Sequence, residues 1–402
     1  MRILVVHRYY YPDQVPCASI MSTIARRLHQ DGHQVDVLTG KPSRTINPSR
    51  DKGANSDGCD GLRVFRLNLQ PEVGRPVWRI INALYLGLSL LVKAIFTRYD
   101  VIISTSIPPV LGGFFASLAA RLTRSRFIYY CMDLHPEVGR VSGDFSNPVL
   151  YRILLRIDDW SCRQARPVLV HSEDMRNTLR ARSRGNEYAI ELMNNFALPT
   201  RHSNQSKTEW HHSSYNNRLT LIYAGNMGRF QGLETLIGAM GLVAHRKDIE
   251  LIMMGEGGAK ADLISLQKQT NSNVRFYDYQ PVEVAKAAIN TADIGLVMLT
   301  PDIYKYAYPS KTMAYLEQGC PIIAVIEEES ELARTMKSDG YGFSIPIGNT
   351  EALAQLLMQL ADDMSWKEPM RQSASTAFER YFSASVVLDK WTKLVDQSHQ
   401  TS

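Results

Sequence analysis

A glycine-rich segment in the second half of the chain has the composition of a phosphate-binding turn. Residues 221–237 form an apolar strand-like run, then Gly225, Gly228 and Gly232, then apolar positions at helical spacing. Glycine lets the backbone approach a ligand closely, and a helix start presents free N–H groups and the positive end of its dipole. A tight strand-to-helix turn without a ligand would have the same composition, so this segment alone leaves both interpretations open.

A second segment, Tyr306 to Ile323, places a lysine at the start of a predicted helix. We expect Ser310 to cap this helix and Lys311 to lie in its first turn, where a cation is unfavourable by about a few tenths of a kcal/mol. A bound anion would explain that cost. A cation and free N–H groups directed at one point, together with the glycine turn, predict a diphosphate site. The alternative is an exposed lysine without a specific role.

Acidic and imidazole side chains follow two predicted strands of the first half. Asp133, His135 and Glu137 come after Phe127 to Tyr130, and His171 follows a short apolar run. A carboxylate at such a position can orient a ligand hydroxyl and take its proton, so Asp133 is our candidate for that role. A loop or capping role is the alternative for Asp133, and His171 either binds a ligand or simply ends its strand.

Strand and helix patterns alternate along both halves, which predicts parallel α/β sheets. We predict two Rossmann-like domains, at residues 1–196 and 218–375, joined by a polar linker at 197–217. Residues 376–402 are predicted to contain a helix that packs back toward the first domain. Because ligands of such sheets bind beyond the carboxyl ends of the strands, we expect both domains to present their loops to a cleft.

Bulk composition excludes several classes of protein. The 402 residues are 45% hydrophobic and 21% charged, with a net charge of +5, which is too mild for a nucleic-acid binder. The five cysteines are scattered, which argues against structural zinc and disulfides and for a reducing compartment. The N-terminal apolar run is shorter than that of a signal peptide. His211 and His212 lack further ligands at useful spacing, so no metal site is predicted.

Residues 77–97 form an apolar helical pattern with basic residues at its ends. The uncharged stretch from Ala83 to Val92 is about half of the ~20 residues that a spanning helix requires. Two interpretations remain, a buried core helix and a helix that lies in a membrane interface. The basic residues favour the second, since anionic lipids attract them; they are Arg75, Arg79, Lys93 and Arg98.

Several segments together resemble the retaining family 4 glycosyltransferases of the two-Rossmann-domain, GT-B type. The chain is most similar to the branch that builds bacterial polysaccharides such as colanic acid and O-antigen. The segments that carry the resemblance are residues 3–12, 105–111, 133–137, 226–233, 255–257 and 309–311, and Gly319-Cys320-Pro321.

The resemblance implies that the second domain binds a nucleotide-sugar donor and the first an acceptor. It implies catalytic roles for Asp133, Arg229 and Lys311. The implied donor-binding residues are Gly225, Asn226, Gly228, Gln231, Gly255, Glu256, Tyr279, Pro281, Ser310 and Glu317. The implied acceptor-binding residues are Tyr11, His135, Glu137 and His171.

The chain departs from the family pattern at two places. Many members carry two glutamates where this sequence has Tyr306 and Ala314, so Glu317 is the remaining candidate for the ribose. Many members also carry an arginine and a lysine near the glycine turn, at positions that fall here on Asn226 and Gln231. The positive charge must then come from Arg229 and Lys311.

The implied reaction is sugar transfer with retention, without a cofactor or a required metal. The implied acceptor is a polyprenyl-diphosphate-linked sugar, reached from the inner face of the cytoplasmic membrane through residues 77–97. The implied enzyme is therefore cytoplasmic and peripherally membrane-associated. Two alternatives remain: a nucleotide-sugar epimerase of the same architecture, and an inactive nucleotide-sugar-binding protein. A nicotinamide dehydrogenase is disfavoured because the glycine spacing is not the dinucleotide pattern.

Overall fold

The computed structural model describes residues 1–13, 15–43, 61–72, 75–183, 185, 187–197, 210, 218–228 and 231–397. The chain divides into two compact units. The first comprises Met1–Leu198, Lys305–Tyr308 and Val387–Ser402, and the second comprises Pro199–Tyr304 and Pro309–Val386. Nearly all of the predicted linker lies outside the described residues.

The first unit is built on a parallel sheet of seven strands in the order β3-β2-β1-β4-β5-β6-β7. The strands are β1 (Arg2–Val6), β2 (Gln34–Gly40), β3 (Arg63–Leu67), β4 (Val101–Thr105), β5 (Arg126–Tyr130), β6 (Val168–Val170) and β7 (Ile190–Leu192). The helices are α1 (Pro16–Gln30), α2 (Pro76–Thr97), α3 (Leu111–Thr123), α4 (Glu137–Val141), α5 (Pro148–Gln164) and α6 (Glu173–Ser183). The central strands read as continuous apolar runs because helices cover the sheet.

The second unit has a parallel sheet of six strands in the order β10-β9-β8-β11-β12-β13. The strands are β8 (Leu219–Ala224), β9 (Ile249–Met254), β10 (Val274–Tyr277), β11 (Ile294–Met298), β12 (Ile322–Val325) and β13 (Gly342–Ile345). The helices are α7 (Leu233–Leu242), α8 (Lys260–Thr270), α9 (Val282–Thr291), α10 (Lys311–Glu317), α11 (Glu331–Asp339), α12 (Thr350–Asp362) and α13 (Lys367–Tyr381). The two parallel sheets confirm the predicted fold class.

The last helix, α14 (Ala384–Asp396), belongs to the first unit from Val387 onward. Asp389 forms an ion pair with Arg27 at 2.8 Å. The buried ring of Trp391 lies edge-on to Tyr130, with 5.2 Å between centroids. Helix α14 therefore packs on the first unit, and Trp391 contributes an aromatic contact to the core of that unit.

Helix α2 has one buried and one exposed face. Leu86, Leu90 and Ala94 are buried in the core of the first unit. The opposite face exposes large apolar side chains, and Phe96 is 85% and Val77 65% exposed. Among the described residues, α2 is the one helix whose length and apolar composition would allow it to cross a membrane, and a core helix can pass the same test. The buried face agrees with the core-helix interpretation, and the membrane-interface interpretation stays a prediction.

Candidate functional site

Two loops of the second unit touch through glycines at the carboxyl ends of β8 and β9. A Cβ atom on Gly255 would lie 2.0 Å from the carbonyl oxygen of Gly225, which is closer than atoms can approach. Gly255 has a φ of +142° and Gly225 one of +143°, values that L side chains rarely adopt. The Met227 N–H donates to the Glu256 carbonyl at 2.8 Å, which joins the loops further.

The glycine loop presents unused hydrogen-bond donors. Among the described residues, the main-chain N–H groups of Asn226 and Gly228 donate to no acceptor. The Tyr223 hydroxyl donates to the Asn226 carbonyl at 2.7 Å and contacts the side chain of Gln231. Gln231 is therefore held by Tyr223 instead of standing free for a ligand. Arg229, predicted to carry the charge of this loop, lies outside the described residues.

Helix α10 is fixed against the same loop by Tyr315, a residue that the sequence reasoning missed. Its hydroxyl accepts from the Ala224 N–H at 3.1 Å and donates to the Leu296 carbonyl at 3.2 Å. Its ring covers Gly295, where a Cβ would lie 2.5 Å from a ring carbon. Because residues four apart share a helix face, Tyr315 also orients Lys311 toward the glycine loop.

Lys311 lies against the glycine loop as the paired phosphate segments predicted. A Cβ on Gly225 would lie 2.7 Å from its Cε and 3.2 Å from its Nζ. The ammonium is 4.7 Å from the centroid of the Tyr223 ring, a favourable cation–π distance. Burial lowers the pKa of Lys311 to about 8. The side chain is half-buried, and no carboxylate pairs with its ammonium in the described part of the chain.

On α10 the capping prediction for Ser310 is wrong, and the donor roles of Ser310 and Glu317 stay predictions. Ser310 occupies the N-cap position, but it is exposed and its side chain forms no capping hydrogen bond. Glu317 lies at the opposite end of α10 from Lys311, about 9 Å along the axis at 1.5 Å per residue. Its carboxylate pairs with Lys286 of α9 at 2.7 Å. The geometry therefore separates Glu317 from the glycine loop.

The other predicted donor residues form an exposed rim beyond β9 and β10. Lys260 bridges Glu256 at 2.8 Å and Asp278 at 2.6 Å. Tyr279 and Pro281 are exposed, and the Tyr279 side chain is 52% accessible. The rim thus presents one aromatic ring and an ion-pair network, and none of these groups is held in the core.

In the first unit, Asp133 follows β5 at the carboxyl edge of the sheet. Its N–H donates to the Ser106 hydroxyl at 3.3 Å. Asp133 also pairs with Ala307 in an isolated antiparallel bridge, and the Leu134 N–H donates to the Tyr306 carbonyl at 2.8 Å. The main chain of Asp133 is therefore held from two sides while its side chain stays partly exposed.

Glu137, predicted to contact an acceptor, is buried in an ion-pair network. Its carboxylate accepts from Arg182 at 3.0 Å, and the same guanidinium donates to Asp158 at 2.7 Å. Asp158 in turn accepts from the Tyr129 hydroxyl at 2.9 Å. A side chain so engaged fixes α4, α5 and α6 to one another, which corrects the sequence assignment.

His171 is a fully satisfied core histidine. Its Nδ1 lies 3.0 Å from the Met193 carbonyl and therefore carries the proton, while Nε2 accepts from the Asn195 amide at 3.2 Å. Burial lowers the pKa of this imidazole, so it is neutral at pH 7. His171 therefore ends its strand within the core, and its predicted role in binding the acceptor is wrong.

The remaining acceptor candidates stay predictions. His135 is partly exposed, but its Nδ1 is buried with no hydrogen-bond partner among the described residues. The Tyr11 carbonyl accepts from Arg66 at 2.6 Å, and its ring lies 5.6 Å from the Arg26 guanidinium. Tyr11 thus orders the loop after β1, and nothing here assigns it a ligand.

A buried histidine that the sequence reasoning missed lies at the same edge. Nδ1 of His7, which follows β1, is 2.7 Å from the Thr105 hydroxyl. Burial lowers the pKa of His7 to about 3, so it is neutral. The sequence feature that could have identified His7 is its position directly after an apolar strand. Among the described residues, no group of three or more His, Cys, Asp or Glu side chains could hold a metal ion.

Two family models match the chain. The one described as a glycosyl transferase 4-like domain matches residues 18–193, and the one described as glycosyl transferases group 1 matches residues 218–363. WbjE of Pseudomonas aeruginosa, described as a glycosyltransferase, is 23% identical over 376 residues, 90% of each chain. WcaI of Escherichia coli K12, described as a colanic acid biosynthesis glycosyl transferase, is 28% identical over 147 residues, 36% of this chain and 35% of WcaI.

The likeness extends to solved structures. The crystal structure of Anabaena HepE in complex with UDP matches 99% of this chain and 100% of its own, with a TM-score of 0.69 at 13% identity. A likeness at that identity concerns the fold, and it covers both α/β units.

Proposed function

This chain belongs to the glycosyltransferases of the GT-B fold, and from that premise we propose that it transfers a sugar from a nucleotide diphosphate sugar to a lipid-diphosphate-linked acceptor. The reaction belongs to bacterial surface polysaccharide synthesis, the process named for WcaI. One observation carries the donor assignment: the half-buried side chain of Lys311 lies against Gly225 with no carboxylate partner among the described residues. The UDP in the HepE structure supports the same class of ligand.

The proposed chemistry uses charge that is already in position. The diphosphate accepts hydrogen bonds from Lys311 and from the free N–H groups of Asn226 and Gly228, which stabilise the leaving group as the sugar–oxygen bond breaks. Asp133 orients the acceptor hydroxyl. The leaving phosphate takes the hydroxyl proton as the new glycosidic bond forms on the same face, so the anomeric configuration is retained.

The assay is transfer from a panel of radiolabelled nucleotide sugars to lipid extracted from bacterial membranes. We expect one donor to yield a labelled lipid, and the same donor to raise the melting temperature of the protein. Conversion of the donor alone into an isomeric nucleotide sugar would identify an epimerase. Donor binding without turnover on any lipid fraction would identify an inactive binding protein. NMR of the product's anomeric centre tests retention.

We further propose that the exposed face of α2 lies on the cytoplasmic surface of the membrane, where a lipid-linked acceptor is found. The face carries apolar side chains along its whole length, with Arg75 and Arg79 at its start and Arg98 at its end. Helix α5, on the other side of α3, exposes Val149 and Ile153. A large apolar face with basic residues at its ends is typical of interfacial binding.

We expect the triple variant Ile80→Gln, Leu88→Gln, Phe96→Gln to lose about a hundredfold in affinity for lipid vesicles, because three apolar side chains no longer enter the interface. The fold should persist, since all three side chains are exposed. Flotation with vesicles measures the affinity. The control pair Leu242→Gln, Val282→Gln removes exposed apolar side chains from the second unit and should bind as wild type. Equal loss in both variants would contradict a specific role for α2.

A further inference from the structure

A cavity of about 930 Å³ opens in the first unit at the edge of the sheet opposite Asp133. Its lining includes the amino-terminal ends of three strands: Val101 begins β4, Arg126 begins β5, and Pro167 comes directly before β6. Asp133 and His171 follow strands of the same sheet. The cavity is therefore separate from the carboxyl-edge residues of the candidate site.

Basic side chains dominate this cavity. Four arginines and two carboxylates line it, namely Arg98, Arg124, Arg126, Arg166, Asp100 and Glu191. Asp100 accepts from the main-chain N–H of Arg2 at 2.7 Å. In the part of the chain that the structure describes, none of the four guanidinium groups forms an ion pair. The cavity thus holds an excess of cations arranged around an open volume.

Two of these arginines occupy backbone positions that suit glycine. Arg98 caps the C-terminus of α2 with a φ of +52°, and Arg124 caps that of α3 with a φ of +59°. Glycine adopts this left-handed conformation without strain, whereas arginine does not. A role in ending the helix therefore does not explain why these positions carry arginine instead of glycine. Both side chains lie at the mouth of one cavity, which indicates that they bind a ligand there.

Arg126 is held rigidly in the same wall. Its Nε donates to the Arg166 carbonyl at 2.7 Å and its Nη1 to the Leu394 carbonyl at 2.9 Å. Nη2 has no described partner. Burial lowers the pKa of this guanidinium, which stays charged at neutral pH. A planar donor fixed in this way is suited to a tetrahedral oxyanion.

The mouth of the cavity meets the apolar face of α2. Ile95 and Phe96 come shortly before Arg98, and Leu122 comes two residues before Arg124; all three side chains are exposed. We propose that the cavity binds the phosphate headgroup of an anionic phospholipid whose acyl chains lie along these apolar side chains. This inference rests on the proposed membrane association. The cavity would make that association selective for anionic lipids.

The test compares vesicles of phosphatidylcholine alone with vesicles that also contain phosphatidylglycerol. Wild type should prefer the anionic vesicles. The variant Arg98→Asn, Arg124→Asn removes both guanidinium groups and keeps a residue type that tolerates a left-handed backbone. We expect its affinity for anionic vesicles to fall about thirtyfold, with binding to neutral vesicles unchanged. The variant Arg98→Lys, Arg124→Lys should retain most of the preference.

A charge-matched control separates a site from general attraction. Arg180→Asn with Lys268→Asn removes two exposed cations that have no ion-pair partner in the described ranges. An equal loss in this control would overturn the cavity assignment. If inorganic phosphate stabilises wild type but not Arg98→Asn, Arg124→Asn, while both prefer anionic vesicles equally, the cavity binds the free ion and the lipid assignment is overturned.

The outcomes also separate this inference from the proposed function. Equal binding of wild type to neutral and anionic vesicles would overturn the headgroup cavity and leave membrane association intact. Wild type that binds neither kind of vesicle would overturn both.

Discussion

Replacing Lys311 by alanine is expected to lower kcat/KM for the nucleotide sugar by about a hundredfold or more. A preorganised donor at a developing negative charge contributes about that much in enzymes whose sites are shielded from water. The protein should fold normally, because alanine removes a half-buried cation that has no carboxylate partner among the described residues. Steady-state kinetics measure the effect, and Lys268→Ala, on the exposed side of α8, is the control. Wild-type kinetics in K311A would remove the basis for the donor site.

The pH dependence of donor binding gives an independent measurement. The pKa of Lys311 in the free protein is about 8, so the ammonium is charged below that pH and loses its proton above it. A bound diphosphate favours the charged form and raises this pKa. The KM for the donor should therefore rise as the pH increases past 8. In Lys311→Arg the cation stays charged, so its donor KM should change little over the same range.

Most strands could be predicted because each is a continuous apolar run in a covered parallel sheet. The strands β7 and β13 are exceptions, since they are edge strands of three and four residues. Both are largely half-buried or exposed, so their sequences carry little apolar signal. Edge strands of this length are defined by pairing with β6 and β12, which is a tertiary property.

The glycine turn and Lys311 of the candidate donor site could be predicted from residue types. The residues that hold them in place could not. A glycine turn and a first-turn lysine each have a local signature. The role of Tyr315 depends on hydrogen bonds to Ala224 and Leu296, and an aromatic residue inside a helix reads as ordinary core. The bridge between Asp133 and Ala307 joins residues far apart in the chain, so no local pattern encodes it.

Two acidic or imidazole candidates were wrong for one physical reason. Glu137 and His171 directly follow or lie near strand ends, where ligand-binding residues occur, but so do the groups that hold helices in place. Partners decide between the roles. Arg182 binds Glu137 at 3.0 Å, and the Met193 carbonyl and Asn195 amide occupy both nitrogens of His171. Those partners lie on other elements and could not be assigned from spacing.

Gly255→Ala tests whether the close contact of the two glycine loops builds the donor site. The new Cβ would overlap the Gly225 carbonyl oxygen at 2.0 Å, and alanine is also strained at a φ of +142°. The loops must separate by more than an ångström, which moves the free N–H groups of the glycine loop away from Lys311. Because a 1 Å misplacement costs about a hundredfold in rate, we expect a loss of at least that size in kcat/KM. The free energy of unfolding should fall by about 2–4 kcal/mol.

Gly232→Ala separates this overlap from backbone strain. Gly232 has a φ of +60°, but a Cβ there would meet no atom within 4 Å. We expect it to cost about 1–2 kcal/mol of stability and to leave donor binding near wild type. Chemical denaturation measures stability, and the rise in melting temperature with donor measures binding. If Gly255→Ala binds the donor as tightly as Gly232→Ala does, the contact between the loops serves the fold alone, and the diphosphate is held by α10 without it.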